Sequence, residues 1–344
     1  MILYIHIPFC TSRCGYCTFN SFENKDYLQD AYVSALLADL KAQDDHSLIS
    51  SIYFGGGTPN TLQESHYEKI FTCIFEHFSI HKDCEITLES NPNLITPSWC
   101  NTLKNLGATR LSFGVQSFFE DKLNFLQREH SKKDIYYALE VACNAGFENL
   151  SIDLIYDTLL DSKKRLIEEI TLAAKLPINH LSAYSLTIEK ESKLQKQGIK
   201  EISQSFSEFL REKLLLHDFL QYEVSNYSRG YEVKHNLAYW DYQDYIGCGC
   251  GGVGKKNHQR FYTHNHLESY IKNPTFRKIE NLEKKDILLE KIFLGLRSKI
   301  GVDTKLLNPE KLAILTQNHK GYIKNDRFFA LDYFLADEIA LWLL

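Results

Sequence analysis

Short apolar segments alternate with amphipathic segments through the first half of this 344-residue chain. Because strand–helix–strand repeats at a spacing of about thirty residues form right-handed parallel units, the alternation predicts an α/β fold with a parallel sheet. Thr96 before Pro97, and Ser131 with Asp134 three residues later, predict the starts of two helices. The predicted strands are residues 4–7, 51–54, 85–89, 110–115, 149–155 and 180–186, and the predicted helices are 25–41, 64–78, 97–106, 132–145 and 162–174.

Six strands are too few for a closed eight-stranded barrel, so we expect a partial (β/α)6 barrel. The rhythm changes after about residue 195. We predict a barrel over residues 1–200, a barrel-closing segment over 201–275, and a smaller, mainly helical, winged-helix-like domain over 276–344. Functional residues of parallel α/β folds lie at the carboxyl ends of the strands, where all the motifs below fall.

The composition restricts the partners. Acidic side chains outnumber basic ones by 44 to 39, which is a poor match for a nucleic-acid phosphate backbone. No apolar stretch is long enough to span a bilayer, and residues 1–9 are too short and lack the basic leader of a signal peptide. We therefore expect a cytoplasmic protein with no nucleic-acid partner and no transmembrane segment, while transient contact with a membrane surface stays open.

Three cysteines directly follow the first predicted strand, in a C-x3-C-x2-C loop formed by Cys10, Cys14 and Cys17. Thiolates at this spacing can converge on one metal centre. A structural zinc site needs four ligands, whereas three thiolates on a [4Fe–4S] cube leave one iron open for a substrate. A zinc site completed by a distant residue, or three unligated thiols, are the alternatives. Four further cysteines in helix and strand patterns are expected to be small buried hydrophobes: Cys73, Cys84, Cys100 and Cys143.

Residues 55–59, Gly-Gly-Gly-Thr-Pro, follow the second predicted strand. Glycine lets the backbone approach a ligand without interference from a Cβ atom, and backbone carbonyls can accept a hydrogen bond from a substrate ammonium group. Alone, the segment also suits a tight strand-to-helix turn. One strand after a three-cysteine loop, it predicts a ligand-binding turn.

The cysteine loop, this turn and Tyr4-Ile-His-Ile-Pro-Phe-Cys10 together resemble the radical SAM superfamily, and within it the branch of oxygen-independent coproporphyrinogen III oxidases and HemW-type heme chaperones. The resemblance covers nearly the whole chain. It implies a [4Fe–4S] cluster on the three cysteines and S-adenosylmethionine on the open iron. For any one matching position, a satisfied polar residue at a strand end is the alternative. The positions matching the family's S-adenosylmethionine site are Tyr4, Tyr16, Gly56, Gly57, Thr58, Glu89, Gln116, Arg128, Asp153 and Ile155.

Further features of the sequence distinguish the oxidases of this branch from the chaperones. The oxidases of this branch carry a fourth cysteine two residues after the third, and this chain has Phe19 at that position. The oxidases also carry an N-terminal extension, whereas this chain reaches Cys10 almost at once. Residues 234–240, Lys-His-Asn-Leu-Ala-Tyr-Trp, match the H-N-x-x-Y-W motif of the chaperones. Imidazole is a suitable ligand of heme iron, so His235 is a candidate axial ligand. The alternative is that the motif side chains form a buried cluster that closes the barrel.

The resemblance implies a chaperone that carries heme to a heme-acceptor protein of the respiratory chain and receives electrons for its cluster from a donor. It implies an ability to cleave S-adenosylmethionine and argues against oxidase activity. The alternative is an oxygen-independent coproporphyrinogen III dehydrogenase, and the chain's charge disfavours a third hypothesis, a radical SAM enzyme acting on RNA.

The chain departs from the family pattern in two places. Asp157-Thr-Leu-Leu-Asp161 replaces a glycine- and proline-containing turn, which leaves the path of the chain near the adenine open. Cys248 and Cys250 replace alanines, and we interpret them as small residues for tight packing rather than as a second metal or heme contact.

Overall fold

The computed structural model describes residues 1–43 and 47–344. The strands are β1 Ile2–Ile7, β2 Phe9–Cys10, β3 Phe22–Glu23, β4 Ile49–Gly56, β5 Ile80–Ser90, β6 Arg110–Gln116, β7 Asn149–Tyr156, β8 His180–Ser185, β9 Leu220–Gln221, β10 Asn226–Ser228, β11 Tyr245–Cys248, β12 Val253–Lys256, β13 Gln259–Tyr262, β14 Lys278–Asn281, β15 Val302–Asp303, β16 Gly321–Lys324 and β17 Arg327–Ala330. The α-helices are α1 Gln29–Ala42, α2 Glu64–His77, α3 Pro97–Asn105, α4 Glu120–Phe125, α5 Lys132–Asn144, α6 Lys163–Ala174, α7 Lys193–Lys196, α8 Ser207–Leu215, α9 Lys234–Trp240, α10 Leu267–Lys272, α11 Lys284–Leu296, α12 Pro309–Gln317 and α13 Ala336–Leu343. Short 3-10 turns lie at Asp26–Leu28, Pro59–Thr61, Pro92–Leu94, Thr304–Leu306 and Tyr333–Leu335.

Six parallel strands form the centre of a twelve-stranded sheet, in the order β1-β4-β5-β6-β7-β8. They are the six predicted strands, and helices connect most of them in chain order, which confirms the α/β class. Strand β11 pairs parallel to β1 and is extended by the antiparallel strands β12, β13 and β14. Strands β10 and β9 extend the sheet beside β8.

The five predicted helices form within a few residues of the expected limits, as α1, α2, α3, α5 and α6. The predicted starts are confirmed: the Thr96 hydroxyl accepts a hydrogen bond from Trp99 N at 3.1 Å, and Ser131 and Asp134 form a capping box. Cys73, Cys84 and Cys100 are buried as expected. The expectation is wrong for Cys143, which is exposed because α5 buries the opposite face through Ile135, Ala138, Leu139 and Ala142.

Alternation along the central strands separates an apolar face from a polar one. Because successive side chains of a strand point to opposite faces, every second residue packs in the hydrophobic core with the helices. These buried positions include Ile5, Phe54, Leu88, Leu111, Ile152 and Leu181. The neighbouring positions on the other face carry polar groups, namely Tyr4, Tyr53, Glu89, Ser112, Asp153 and Ser182.

The C-terminal residues have a hydrophobic core of their own. Helices α11, α12 and α13 pack with the small sheet β15-β17-β16 around Ile292, Leu296, Phe328 and Ile339. The region is mainly helical, as predicted. Within residues 1–43 and 47–344, no helix is both long enough and apolar enough to cross a membrane.

Buried carboxylates hold the turn that departs from the family pattern. Asp157, with a left-handed backbone (φ +65°), accepts hydrogen bonds from the Ser185 and Ser205 hydroxyls and from Phe206 N. Asp161 accepts from Thr158 and pairs with Lys122 Nζ at 2.7 Å. Hydrogen bonds accepted by these two carboxylates therefore hold this turn in place without the family's glycines and proline.

The buried ion pairs of Lys122 generate a stability prediction. Lys122 is fully buried, and its Nζ lies 2.7 Å from Asp161 and 2.9 Å from Glu169. Replacing it with Met leaves two buried carboxylates without their cation, which we expect to lower the free energy of unfolding by about 3–5 kcal/mol. Chemical denaturation measures the change.

The control is Lys285→Met, which removes a cation whose side chain is 77% exposed and paired with Glu283. We expect a change within about 0.5 kcal/mol, because exposed pairs contribute little. Equal effects of the two variants would contradict a stabilising role for the buried network.

Candidate functional site

A cavity of about 460 Å³ lies at the carboxyl ends of β4 to β8. Its position follows from the parallel sheet, since these strand ends all meet at one edge. The structure brings the three cysteines and nine of the ten predicted binding residues to this cavity. They are Cys10, Cys14, Cys17, Tyr16, Gly56, Gly57, Thr58, Glu89, Gln116, Arg128, Asp153 and Ile155.

Two predicted residues lie elsewhere. Tyr4 lines a second cavity, which adjoins the first because the two share Thr18, Phe19, Gly56 and Glu89. His235 lines neither cavity and is buried in the helix α9, with 1% of its surface exposed.

The cysteine loop is held from several sides. Cys10 ends the short strand β2 and is buried, and its Sγ lies 3.4 Å from the Thr58 hydroxyl. Gly15 N donates to the carbonyl of Leu126 at 3.0 Å, which ties the loop to the segment after α4. Burial raises the pKa of the Cys10 and Cys17 thiols, so in the absence of a bound cation these two thiols are protonated at neutral pH.

The three thiols line one cavity. In the part of the chain that the structure describes, no three His, Cys, Asp or Glu side chains are close enough together to hold one metal ion. A four-iron cube does not require this, because each of its thiolates binds a different iron. The donor set of three sulfurs and one open cavity therefore fits a [4Fe–4S] cluster with one free iron.

The glycine turn at the end of β4 passes directly beside the cysteine loop. A Cβ atom at residue 57 would lie 2.6 Å from the Phe9 carbonyl oxygen and 2.9 Å from Cys10 Sγ. Gly56 adopts φ +119°, a conformation that L side chains rarely adopt. Both glycines are needed for the backbone to pass this close to Cys10.

Arg128 links the cysteine loop to two strand ends. Its Nη1 donates to Cys14 Sγ at 3.0 Å, and its Nη2 donates to Asn91 Oδ1 at 2.7 Å and to the Gly114 carbonyl at 2.8 Å. Its Nε is buried and has no hydrogen-bond partner among the described residues. Arg128 also lines the cavity, where a guanidinium can bind an anionic group of a ligand.

Two carboxylates stand at the ends of β5 and β7. Burial and the neighbouring Asp153 carboxylate raise the pKa of Glu89 to about 7, although Tyr53 donates a hydrogen bond to it at 2.7 Å. Burial also raises the pKa of Asp153. Glu89 therefore exchanges a proton near neutral pH, and a cationic or hydroxyl-bearing ligand is a partner for both carboxylates.

The H-N-x-x-Y-W motif forms the helix α9, seated on the sheet by a carboxylate. Glu85 accepts hydrogen bonds from Tyr231 Oη at 2.6 Å and from the backbone N–H groups of Lys234 and His235 at 3.0 Å. The His235 Nδ1 is hydrogen-bonded to the Ser51 hydroxyl, and burial lowers the pKa of the imidazole to about 3. The ring is therefore neutral, and its Nε2 has no hydrogen-bond partner among the described residues.

Several residues of the site were not identified from the sequence. Asn91, which joins Arg128 to Thr58, follows the third predicted strand, and its position before Pro92 was the available signal. Tyr184 and Ser185 end the sixth predicted strand and also line the cavity. Cys248 and Cys250 are fully buried on and just after β11, which favours the packing interpretation for both.

Comparisons with known proteins identify the family of the chain. The Radical SAM superfamily model matches residues 4–170. The heme chaperone HemW of Bacillus subtilis (strain 168) is 33% identical over 320 residues, which cover 88% of this chain and 84% of that protein. The heme chaperone HemW of Escherichia coli (strain K12) is 34% identical over 262 residues, covering 74% of this chain and 69% of that protein.

Among solved structures, the coproporphyrinogen III oxidase (HemN) of Escherichia coli, described as a radical SAM enzyme, superposes with a TM-score of 0.83 at 20% identity. The match covers 99% of this chain and 89% of that one. At this identity the likeness shows a shared fold, a partial radical SAM barrel with a smaller C-terminal domain. The chain belongs to the radical SAM superfamily and, within it, to the HemW family.

Proposed function

We propose that this protein is a heme chaperone, a radical SAM protein that binds heme and transfers it to an acceptor protein. The observation that carries the proposal is the position of the motif helix. Tyr239 of α9 lines the cavity that shares Thr18, Phe19, Gly56 and Glu89 with the cluster cavity. The motif typical of the chaperones and the radical SAM site are thus neighbours in one structure.

Membership of the radical SAM superfamily implies a [4Fe–4S] cluster and S-adenosylmethionine. When bound, the pair supplies one-electron reductive cleavage of the sulfonium. We propose that Cys10, Cys14 and Cys17 ligate three irons. Arg128, which lines the cavity, then binds the methionine carboxylate through its guanidinium.

The remaining residues are assigned by their place in the cavity. The turn at Gly56, Gly57 and Thr58 lies closest to the cysteine loop and takes the methionine end. Glu89 and Gln116 end β5 and β6 and take polar groups of the ligand. Tyr4, Tyr16, Asp153 and Ile155 complete the site, the last two at the ribose and adenine end.

The acceptor that we propose is a heme protein of the respiratory chain, with a separate electron donor for the cluster. Both follow from the family and act with this chain in the cytoplasm. The small excess of acidic side chains, 44 against 39 basic ones, supports a protein partner over a nucleic acid.

His235 is the proposed axial ligand of the heme iron. In the tautomer in which Nδ1 donates to the Ser51 hydroxyl, Nε2 keeps a lone pair available for iron. Because only 1% of the residue is exposed, ligation requires α9 to shift and open a path to the imidazole.

The cysteine loop gives the first test of this proposal. Anaerobic reconstitution should yield about four irons and four sulfides per chain. Changing any one of Cys10, Cys14 or Cys17 to Ala should abolish the visible charge-transfer absorbance, because each holds one iron. Cys143→Ala, at an exposed cysteine outside the loop, should leave the spectrum unchanged. A stoichiometric zinc content without iron would contradict the cluster assignment.

The ligand pocket gives the second test. S-adenosylmethionine should change the EPR signal of the reduced cluster, because it ligates the open iron. Glu89→Gln should weaken this change and leave the iron content intact, while Glu148→Gln, at an exposed residue, should match the wild type. Gly57→Val should lose both iron and response, since its Cβ would meet Cys10 Sγ at 2.9 Å. An unchanged signal at saturating S-adenosylmethionine would argue against the pocket.

The third test separates the chaperone from the oxidase. The wild type should bind heme and, with a reductant and S-adenosylmethionine, should form no protoporphyrinogen from coproporphyrinogen III. His235→Ala should shift the Soret band and weaken heme binding about tenfold, or ~1.4 kcal/mol.

The control for this variant is His258→Ala, at an exposed histidine between β12 and β13. Normal heme binding by His235→Ala would place the iron ligand elsewhere. Formation of protoporphyrinogen by the wild type would replace the chaperone assignment with the oxidase.

A further inference from the structure

A third cavity, also of about 460 Å³, lies between the motif segment and the C-terminal domain. We call it the interdomain cleft. One wall consists of tyrosines from α9 and the segment after it, Tyr239, Tyr242 and Tyr245, and the facing wall consists of Leu289, Phe293 and Leu294 of α11. A slot with an aromatic wall and an apolar wall suits a flat, mostly apolar ligand, and its volume lies within the range of small-molecule sites.

Three cations and one carboxylate form the charged lining of the cleft: Lys255, Arg260, Arg297 and Glu290. These cations are held in place by carboxylates: Lys255 by Asp244 at 2.7 Å, Arg260 by Glu290 at 2.5 Å and Glu280 at 3.4 Å, and Arg297 by Asp337 at 2.6 Å.

We propose that the interdomain cleft is the binding site of the porphyrin ring of heme, with the two propionates paired with Arg260 and Arg297. The inference rests on the proposed function and assigns it a place in the fold. A heme carries two carboxylates, and the cleft lining offers two guanidinium groups that can receive them. A guanidinium binds a carboxylate through two parallel hydrogen bonds, so a propionate can take the place of Glu290 or Asp337 on its arginine.

The cleft is connected to the rest of the site through its tyrosine wall. Tyr239 and Tyr245 meet edge to face at 4.8 Å, and both also line the cavity that adjoins the cluster. The Tyr239 ring also meets the His235 ring edge to face, with the ring centroids 4.9 Å apart. A ring seated in the cleft would therefore touch the motif tyrosine, and the shift of α9 that ligation by His235 requires would have to move Tyr239 from between the ring and the imidazole.

The test titrates full-length, cluster-reconstituted protein with heme, with iron-free protoporphyrin IX and with its dimethyl ester. Heme binding is read from the Soret band and protoporphyrin binding from fluorescence. We expect Arg260→Gln and Arg297→Gln each to weaken binding of both free acids about tenfold. The dimethyl ester, which lacks the propionate charges, should bind weakly to the wild type and be insensitive to both substitutions.

A second kind of variant places a negative charge on the apolar wall. Leu289→Glu, at a residue that is already 37% exposed, should weaken binding at least tenfold by repelling the propionates. Arg211→Gln and Leu215→Glu are the matched controls: Arg211 is 29% exposed and pairs with Asp332, and Leu215 is 55% exposed on α8, away from the cleft. Both should bind all three probes like the wild type. Circular dichroism and iron content establish that each variant is folded.

Each outcome decides one claim. Heme binding by the wild type with unchanged affinities in the three cleft variants would overturn the cleft and leave the chaperone assignment standing. A wild type that binds neither heme nor protoporphyrin would overturn the proposed function itself. Equal losses in the cleft variants and in Arg211→Gln would assign the effect to the C-terminal domain as a whole and overturn the cleft as the binding site.

Discussion

The parallel pairing of β1 with β4 is the constraint on which the site depends. Its register sets Ile7 opposite Gly56, so the cysteine loop after β1 and the glycine turn after β4 leave the sheet at the same level. Only then does the backbone at Gly57 pass within contact distance of Cys10 Sγ. The strands β5 to β8 continue the same parallel alignment, and each adds a polar residue to the same edge of the sheet.

The central sheet was predictable because its signals are local. Period-two patterns, the Thr96 and Ser131 caps, and the spacing of the repeats lie within a few residues of one another along the chain, and the structure bears them out. The residues of the cavity could also be placed, since parallel strands end at one edge. Their assignment to a particular ligand came from the family resemblance, because a glutamate or arginine at a strand end has no intrinsic specificity.

The contacts that escaped prediction join segments far apart in sequence. Strand β11 pairs with β1 from more than two hundred residues away, and in sequence its glycines are typical of a loop. At Gly247 a Cβ atom would lie 1.9 Å from the Val253 carbonyl, so the glycine there permits the sharp return into β12. Glu85 binds the motif helix to the sheet. In the sequence it is typical of any strand residue, because its partners Tyr231 and His235 lie far along the chain and reach it only in the folded structure. No local pattern marks either contact.

Among the described residues, the two largest hydrophobic clusters are separate, and the one in the C-terminal region is the smaller of the two. Helix α11 belongs to the smaller one through Ile292 and Leu296, whereas Tyr239 and Tyr245 stand on elements packed against the large sheet. Segments that share a core tend to open and close as one cooperative unit, and units with fewer buried contacts open at lower free energy. No residue of the smaller cluster lies in the cysteine loop, so opening of the C-terminal unit would widen the interdomain cleft without disturbing that loop, once the backbone hydrogen bonds of Arg297 and Lys299 to residues 222–224 are broken. Such local opening would give a bulky, rigid molecule a way in and out of the cleft while the cysteine loop keeps its contacts.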